Sequence, residues 1–109
     1  MESILTSVKK MLGITENCED FDFDIIFHIN SVFSILNQLG VGPSSGFTIS
    51  DKSAIWTDFL GEDKRIEMVK SYMFAKVRMI FDPPQSTAVM EALKAYAAEF
   101  ESRINYVVD

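Results

Sequence analysis

Cysteine, which forms disulfides, and histidine, a common catalytic residue, are scarce in this chain of 109 residues. It contains a single cysteine, Cys18, and a single histidine, His28. One thiol excludes an intrachain disulfide, and a domain of this length can bury a core without one. The chain also lacks an apolar run of twenty residues and a secretory signal pattern. We therefore expect a protein that is made in a reducing cytoplasm and does not span a membrane.

Basic residues are outnumbered by acidic ones. Ten Lys and Arg residues face sixteen Asp and Glu residues, which gives a formal net charge of -6. Proteins that bind nucleic acids tightly neutralise phosphates with clustered Lys and Arg, so this balance disfavours tight DNA or RNA binding. It does not disfavour a protein past which DNA slides. With 48% hydrophobic residues, the chain is expected to form one globular domain over residues 1–109.

Charge is absent from a long internal segment. Residues 25–50 contain no Asp, Glu, Lys or Arg. A solvated helix face normally carries charge, whereas the cores of protein interfaces are depleted of it. The pattern predicts a contact between subunits or, alternatively, a helix tucked inside the monomer. The residues predicted to contribute to a subunit contact are Asn30, Ser34, Asn37, Gln38 and Phe47.

Helical periodicity of apolar residues recurs along the whole chain and predicts an all-α fold. The expected architecture is a compact bundle of four main helices plus one short helix. A short helix is predicted through Trp56, Phe59 and Leu60, with Asp51 or Ser53 as its N-cap and Trp56 as a core anchor. The main helices are predicted over residues 3–12, with Ser3 as N-cap and Gly13 as the C-terminal stop, 23 or 24–39, about 62–81, and about 86–106, with Ser86 or Thr87 as N-cap. The last helix has a long apolar stripe that consists of Val89, Met90, Leu93, Tyr96, Ala97, Phe100, Ile104 and Val107.

The helix from Ile66 to Phe81 is predicted to be the most buried, because its apolar residues spread over more than one face. Its main apolar stripe consists of Ile66, Val69, Met73, Val77 and Ile80. The sequence Asp82-Pro83-Pro84 should end it abruptly. Three cations, Lys70, Lys76 and Arg78, interrupt its apolar residues. We predict that they form a basic edge that meets the uncharged segment of a neighbouring subunit in a head-to-tail contact.

Motifs for metal and nucleotide binding are incomplete. Asp20, Asp22 and Asp24 have the opening spacing of an EF-hand calcium loop, but Ile25 and Ser31 occupy the positions that need glycine and glutamate. Helix capping is the better interpretation of these aspartates. The glycine-rich stretch GVGPSSGFTIS, residues 40–50, has neither a Walker A lysine nor the dinucleotide glycine pattern. The sequence predicts no metal and no cofactor.

Catalytic candidates are equally thin. His28 lies within an apolar helical run without nucleophile or carboxylate partners at triad spacing. Acidic neighbours of Cys18 should disfavour its thiolate. We therefore expect a protein that is not an enzyme.

Several stretches resemble the head-tail connector proteins of tailed bacteriophages, also called adaptor or head-completion proteins. They are INSVFSILNQLGVGPSSGFTI at 29–49, W-x-D-F-L-G at 56–61, VKSYMFAKVRMIFDPPQS at 69–86 and EFESRIN at 99–105. The most specific pieces are Asn37-Gln38-Leu39-Gly40-Val41 and Val77-Arg78 followed by Phe81-Asp82-Pro83-Pro84.

The resemblance implies a small helical virion protein, made in the cytoplasm of the host bacterium. It would assemble as a ring, typically twelvefold, beneath the portal. Such a ring joins the DNA-filled head to a tail-proximal stopper or tail protein and lets DNA pass without tight binding.

The end of the chain is predicted to contact the portal through Arg103, Tyr106, Val107 and Val108, because apolar side chains at a fraying helix end gain little from the monomer's own core. The alternative is that they close the last helix against the first.

Two rival functions remain from the residues alone. One is a small acidic helical regulator that binds another protein, and self-association into a large ring would argue against it. The other is a small hydrolytic or metal-dependent enzyme, which requires carboxylates and His28 to converge in one pocket.

Overall fold

The computed structural model describes residues 3–108, and it describes side chains over residues 3–103. Within this range the chain forms five helices and no β-strand, so the predicted all-α fold is confirmed. A lone antiparallel bridge joins Ser3 to Ile55. The helices are α1 (Ile4–Met11), α2 (Asp22–Gln38), α3 (Trp56–Leu60), α4 (Ile66–Phe81) and α5 (Thr87–Val108).

Local capping sets the ends of α1 and the start of α5 where the sequence predicts them. Ser3 Oγ accepts the Thr6 N–H at 2.9 Å, and Gly13 takes a φ of 81° just beyond the helix. Ser86 Oγ accepts the Val89 N–H at 3.3 Å at the start of α5. These caps satisfy backbone groups that have no partner within the helix.

Other helix starts differ from the prediction. The residue before α2 is Phe21, which supplies no side-chain cap, so Asp22 and Asp24 lie in the first turn instead of capping it. The helix α4 begins at Ile66 instead of residue 62, because Asp63 is engaged by the backbone N–H and the guanidinium of Arg65 in a local turn. At the start of α3, the Asp58 carboxylate of the first turn accepts the Ile55 N–H through Oδ2. The sequence predicts Asp51 or Ser53 in the capping role instead.

The helix α4 is the centre of the fold and packs against α1, α2 and α5. The molecule is flat, with principal extents of 41 × 35 × 20 Å. One side of α4 faces α5, where Tyr72 stacks on Phe100 with ring centroids 4.3 Å apart. Phe81, which is nine residues and therefore roughly 180° further round the helix, contacts Phe21 and His28 of the α2 side. The helices α2 and α5 thus flank α4.

The prediction that α4 is the most buried helix is wrong. Six of the eight residues of α1 are buried, against five of the sixteen in α4. Ile80, expected in the apolar stripe, is 57% exposed. The reason is geometric, because α4 lies between two flanking helices in a molecule only 20 Å thick, so part of its surface stays uncovered.

The apolar stripe of α5 is only partly covered. Within its described side chains, Ala97 and Phe100 are buried, whereas Val89 is 44% and Tyr96 is 40% exposed. The helix packs mainly on α4, so the residues of the stripe that lie beyond this contact have no neighbouring element. The predicted stripe positions Ile104 and Val107 lie outside the described side chains.

The segment between α2 and α4 completes the core. Trp56 is 2% exposed, and its Nε1–H donates to Ser7 Oγ at 2.8 Å, which confirms it as a core anchor. Phe47 packs between Phe33 and Phe59, with ring centroids 5.1 and 5.3 Å away. The loop can approach this closely because Gly42 has a φ of 87° and lies directly against the Phe59 ring.

Candidate docking surfaces

One exposed face of α2 carries no charge beyond Asp24 in the first turn. At its start stand two of the most exposed large apolar side chains among the described residues, Phe23 at 82% and Phe27 at 64%. Exposed polar residues continue the same face at helical spacing: Ser31, Ser34 and Gln38. Aromatic residues without charge are characteristic of interface cores, and large exposed apolar patches on small proteins mark contact sites.

The base of this face is an aromatic cluster. Phe27 lies edge-on to His28 at 5.7 Å, and His28 lies 6.3 Å from Phe81. Phe21 makes a similar edge contact with Phe81 at 5.7 Å. These contacts hold Phe21 and Phe81 in place, so the rings at this end of α2 form a fixed surface.

The two asparagines predicted at a subunit contact bind the chain's own loop. Asn30 exchanges two hydrogen bonds with the backbone of Ile49, at 2.9 and 2.8 Å. Asn37 Nδ2 donates to the carbonyl oxygens of Pro43 and Ser44. Phe47, which is also predicted to lie at a subunit contact, belongs to this loop and packs against Phe33 of the core. Their role between subunits stays a prediction, but each has a role within the monomer.

Ser34 and Gln38, in contrast, are exposed on the uncharged face of α2. They are the predicted interface residues that remain accessible in the monomer. A charge introduced at Gln38 therefore tests this surface more directly than one at Asn37. At Asn37 the same change would also remove the hydrogen bonds to the loop.

The three cations of α4 do not share one edge. Lys76 faces α5, where Nζ lies 3.9 Å from Glu101 Oε2 and 5.9 Å from the centre of the Tyr72 ring. Arg78 lies two residues on, and therefore roughly 160° away round the helix. Lys70 contacts Glu67 at 3.5 Å on the exposed surface. The predicted basic edge is therefore wrong as a single surface, although each cation can still meet a partner separately.

Tyr72 anchors the contact between α4 and α5. Its hydroxyl donates to Glu101 Oε2 at 2.6 Å, and it is fully buried. Burial, together with the hydrogen bond to the Glu101 carboxylate, raises the pKa of Tyr72 well above its ordinary value of 10.0. The phenol therefore stays protonated and keeps donating over the physiological range.

The acidic connector is organised by a buried lysine. Lys9 is 3% exposed, and its ammonium donates to the carbonyl oxygens of Glu16 and Cys18 at 3.1 and 2.6 Å. It also contacts Asp22 Oδ1 at 2.8 Å. A polar cleft of about 140 Å³ lies here. The Lys9 ammonium occupies the position beside Asp22 that a cation would need, and within the described residues no three His, Cys, Asp or Glu side chains come together as metal ligands.

The two catalytic candidates, His28 and Cys18, have different described neighbours. His28 is partly buried among Phe27 and Phe81, and Cys18 is a partly buried free thiol whose carbonyl oxygen accepts from Lys9. No helix in the described part of the chain is both long enough and apolar enough to cross a membrane.

The predicted portal contact falls largely outside the described side chains. The backbone of α5 continues to Val108, but the side chains of Tyr106, Val107 and Val108 are among those not described. Arg103 is exposed and forms an ion pair with Glu99, its Nη2 lying 2.6 Å from Glu99 Oε1.

Comparison with known protein families shows to which family this helical protein belongs. The model of the phage connector protein family matches residues 4–109, which is nearly the whole chain. The chain belongs to this family. The comparison with curated proteins and the comparison with solved structures each gave no match.

Membership makes the protein a connector-type structural protein that associates with other head or tail proteins of a phage, and it indicates a location in the virion. The candidate docking surface on α2 includes two exposed residues that sequence reasoning missed, Phe23 and Phe27. The available signal was their spacing, since two aromatic residues four apart fell outside the apolar stripe through Ile25, Ile29 and Val32.

Proposed function

We propose that this connector assembles into a closed ring of twelve copies, and that this ring binds beneath the portal of a tailed phage. The ring joins the DNA-filled head to a stopper or tail protein on its other side and leaves a passage for DNA. The protein is made in the cytoplasm of the host bacterium and acts in the virion as a structural component with no catalytic activity.

The observation that carries this proposal is the exposed uncharged face of α2, which begins with Phe23 and Phe27. In a family of connectors, a face of this kind is suited to a protein partner, because aromatic residues contribute most to interface energies and uncharged polar residues are inexpensive to desolvate. The flat shape of the molecule suits side-by-side assembly around an axis.

Assembly is tested by mixing the purified protein with the portal protein of the same phage. We expect a complex with a fixed number of connector copies in light scattering and a ring under the portal in electron microscopy. Gln38→Glu should weaken this assembly while leaving the melting temperature unchanged. A protein that stays monomeric or dimeric with and without portal would support the small regulator instead.

Passage of DNA is tested separately by mobility shift with duplex DNA over a range of salt concentrations. The net charge of -6 predicts no retardation at physiological salt, because few cations are available to displace counterions from phosphates. Tight, salt-dependent binding would contradict the proposal of a passive conduit. Mass spectrometry of purified phage particles tests the location in the virion.

A further inference from the structure

The two flanks of α4 carry unlike surfaces. On the α2 side lies the aromatic edge, which we define as Phe23 and Phe27 with the neighbouring Asp20 and Asp24. On the α5 side lies a groove between α4 and α5. A contact between unlike surfaces on two flanks of a flat molecule is what a head-to-tail ring requires.

The aromatic edge combines apolar protrusion with negative charge. Phe23 is 82% exposed, and Phe27 follows one turn later on the same face. Asp20 and Asp24 are exposed beside them. The third nearby aspartate, Asp22, is paired with Lys9 and points into the fold. The edge therefore presents two exposed phenyl rings together with two carboxylates that solvent reaches.

The groove has the complementary character. Its floor is apolar, with Met79, Ile80, Ala97 and Ala98, and its charged lining consists of Lys76, Lys94 and Glu101. Glu101 is already engaged by Tyr72 and Lys76. Among the described residues, Lys94 makes an exposed contact with Glu91 at 3.8 Å, and its side chain is 60% exposed. A surface pair of this kind contributes little and can be exchanged for another carboxylate.

The size of the groove also limits its occupant. Its volume is about 350 Å³, which is near the lower end of the ~300–1,000 Å³ typical of ligand sites. It holds one or two aromatic side chains but leaves no buried polar group to orient a cofactor. Ile80, at 57% exposure, is uncovered in the monomer.

We infer that the aromatic edge of one copy docks into the α4–α5 groove of the next copy, with Phe23 as the anchor and Lys94 facing the aspartates of the edge. This inference rests on the proposed ring and assigns its subunit contact. The occupant is a second copy because the edge offers exposed aromatic rings and carboxylates to a groove with apolar residues and lysines, and because the two surfaces lie on opposite flanks of α4.

Cysteine pairing tests the contact directly. In a Cys18→Ser background, Asp24→Cys is made in one protein, which keeps the Phe23 anchor, and Ala98→Cys in a second protein that carries a mass tag. After mixing and mild oxidation, we expect disulfide-linked species that contain one copy of each. Predominant pairing of Asp24→Cys with itself would show a symmetric contact and overturn the inference, as would the absence of any crosslink while rings form.

Association measurements give a second test with matched controls. Phe23→Ser and Ala98→Glu should each weaken self-association by about tenfold or more, as expected for loss of an anchor or blockage of its pocket. Tyr96→Ser and Ala92→Glu make equivalent changes at exposed α5 positions outside the groove and should have little effect. Unchanged melting temperatures show that all four variants are folded.

The outcomes separate this contact from the ring itself. Rings that form equally well with Phe23→Ser and Ala98→Glu would overturn the contact and leave the ring standing. Loss of portal binding with self-association unchanged would assign the aromatic edge to the portal and also overturn the contact. A wild-type chain that stays monomeric with and without portal would overturn the ring and the contact together.

Discussion

Gly42 is the position where the fold of the loop behind α2 is most sensitive to a single methyl group. The residue has a φ of 87°, and a Cβ placed there would collide with Phe59 Cε1 and lie 2.7 Å from Cζ. Phe59 is 4% exposed and packs against Phe33 and Phe47, so it has no room to move aside. Gly42→Ala should therefore destabilise the protein through both backbone strain and steric overlap.

A matched control separates the two effects. Gly46 lies in the same loop with a φ of 94°, but nothing lies within 4 Å of the place that a Cβ would take there. Gly46→Ala should lower the free energy of unfolding by about 1–2 kcal/mol, the usual penalty of a left-handed conformation. Gly42→Ala should add roughly 1–3 kcal/mol for overpacking. The lower backbone entropy of the unfolded alanine variants offsets ~0.4–1 kcal/mol in both cases and cancels in the comparison.

The assay is urea unfolding followed by circular dichroism, with the slope of the transition checked to be constant among variants. The extra loss at Gly42 should shrink in a Phe59→Leu background, because the shorter side chain leaves space for the methyl group. Equal destabilisation by the two alanine variants would refute the reasoning, since it would mean that Phe59 does not confine the loop.

Three further predictions concern the core. Lys9→Met should lower the free energy of unfolding by about 3 kcal/mol, because it leaves Asp22 and two carbonyl oxygens without their partner, whereas Lys64→Met at an exposed site should have little effect in the same urea assay. Tyr72→Phe should remove a specific alkaline loss of stability. Because the pKa of Tyr72 is raised in the folded state, its contribution is complete below pH 10 and falls above it. The difference in melting temperature between wild type and variant should therefore be constant up to pH 10 and shrink as the pH rises further, and parallel curves would contradict this. Val77→Asp should unfold the protein, since Val77 is fully buried and an unpaired buried carboxylate offsets much of a domain's stability, whereas Ile80→Asp in the same helix should remain folded by circular dichroism.

Sequence periodicity predicted most of the helices because the apolar positions that repeat every three or four residues are the ones that pack. The ends were predicted where a cap is local, as at Ser3 and Gly13. The start of α4 was missed because Asp63 could cap a helix or bind Arg65, and residue type does not distinguish the two. The exposure of α5 was also not predictable, since a stripe shows which face is apolar but not whether another element covers it.

The uncharged segment illustrates what composition alone leaves undetermined. The presence of an amide side chain shows that it can donate and accept hydrogen bonds but not which groups it bonds to. From the sequence, Asn30 and Asn37 could bind either a neighbouring subunit or the chain's own loop. In the fold, Asn30 pairs with the backbone of Ile49 much as a strand would, in a part of the chain that forms no sheet. The need to satisfy that backbone requires an amide at a half-buried position.

The same choice of residues keeps the outer surface of α2 neutral beyond its first turn. A lysine or glutamate at the loop-binding positions would have to be desolvated against the loop, and one at Ser31, Ser34 or Gln38 would have to be desolvated whenever a partner covers this face. Because the other residues of this outer face are uncharged and polar, only Phe23 and Phe27 gain substantially from leaving water. The energy of a contact on α2 should therefore be concentrated at the aromatic edge, with the rest of the face providing fit at little desolvation penalty.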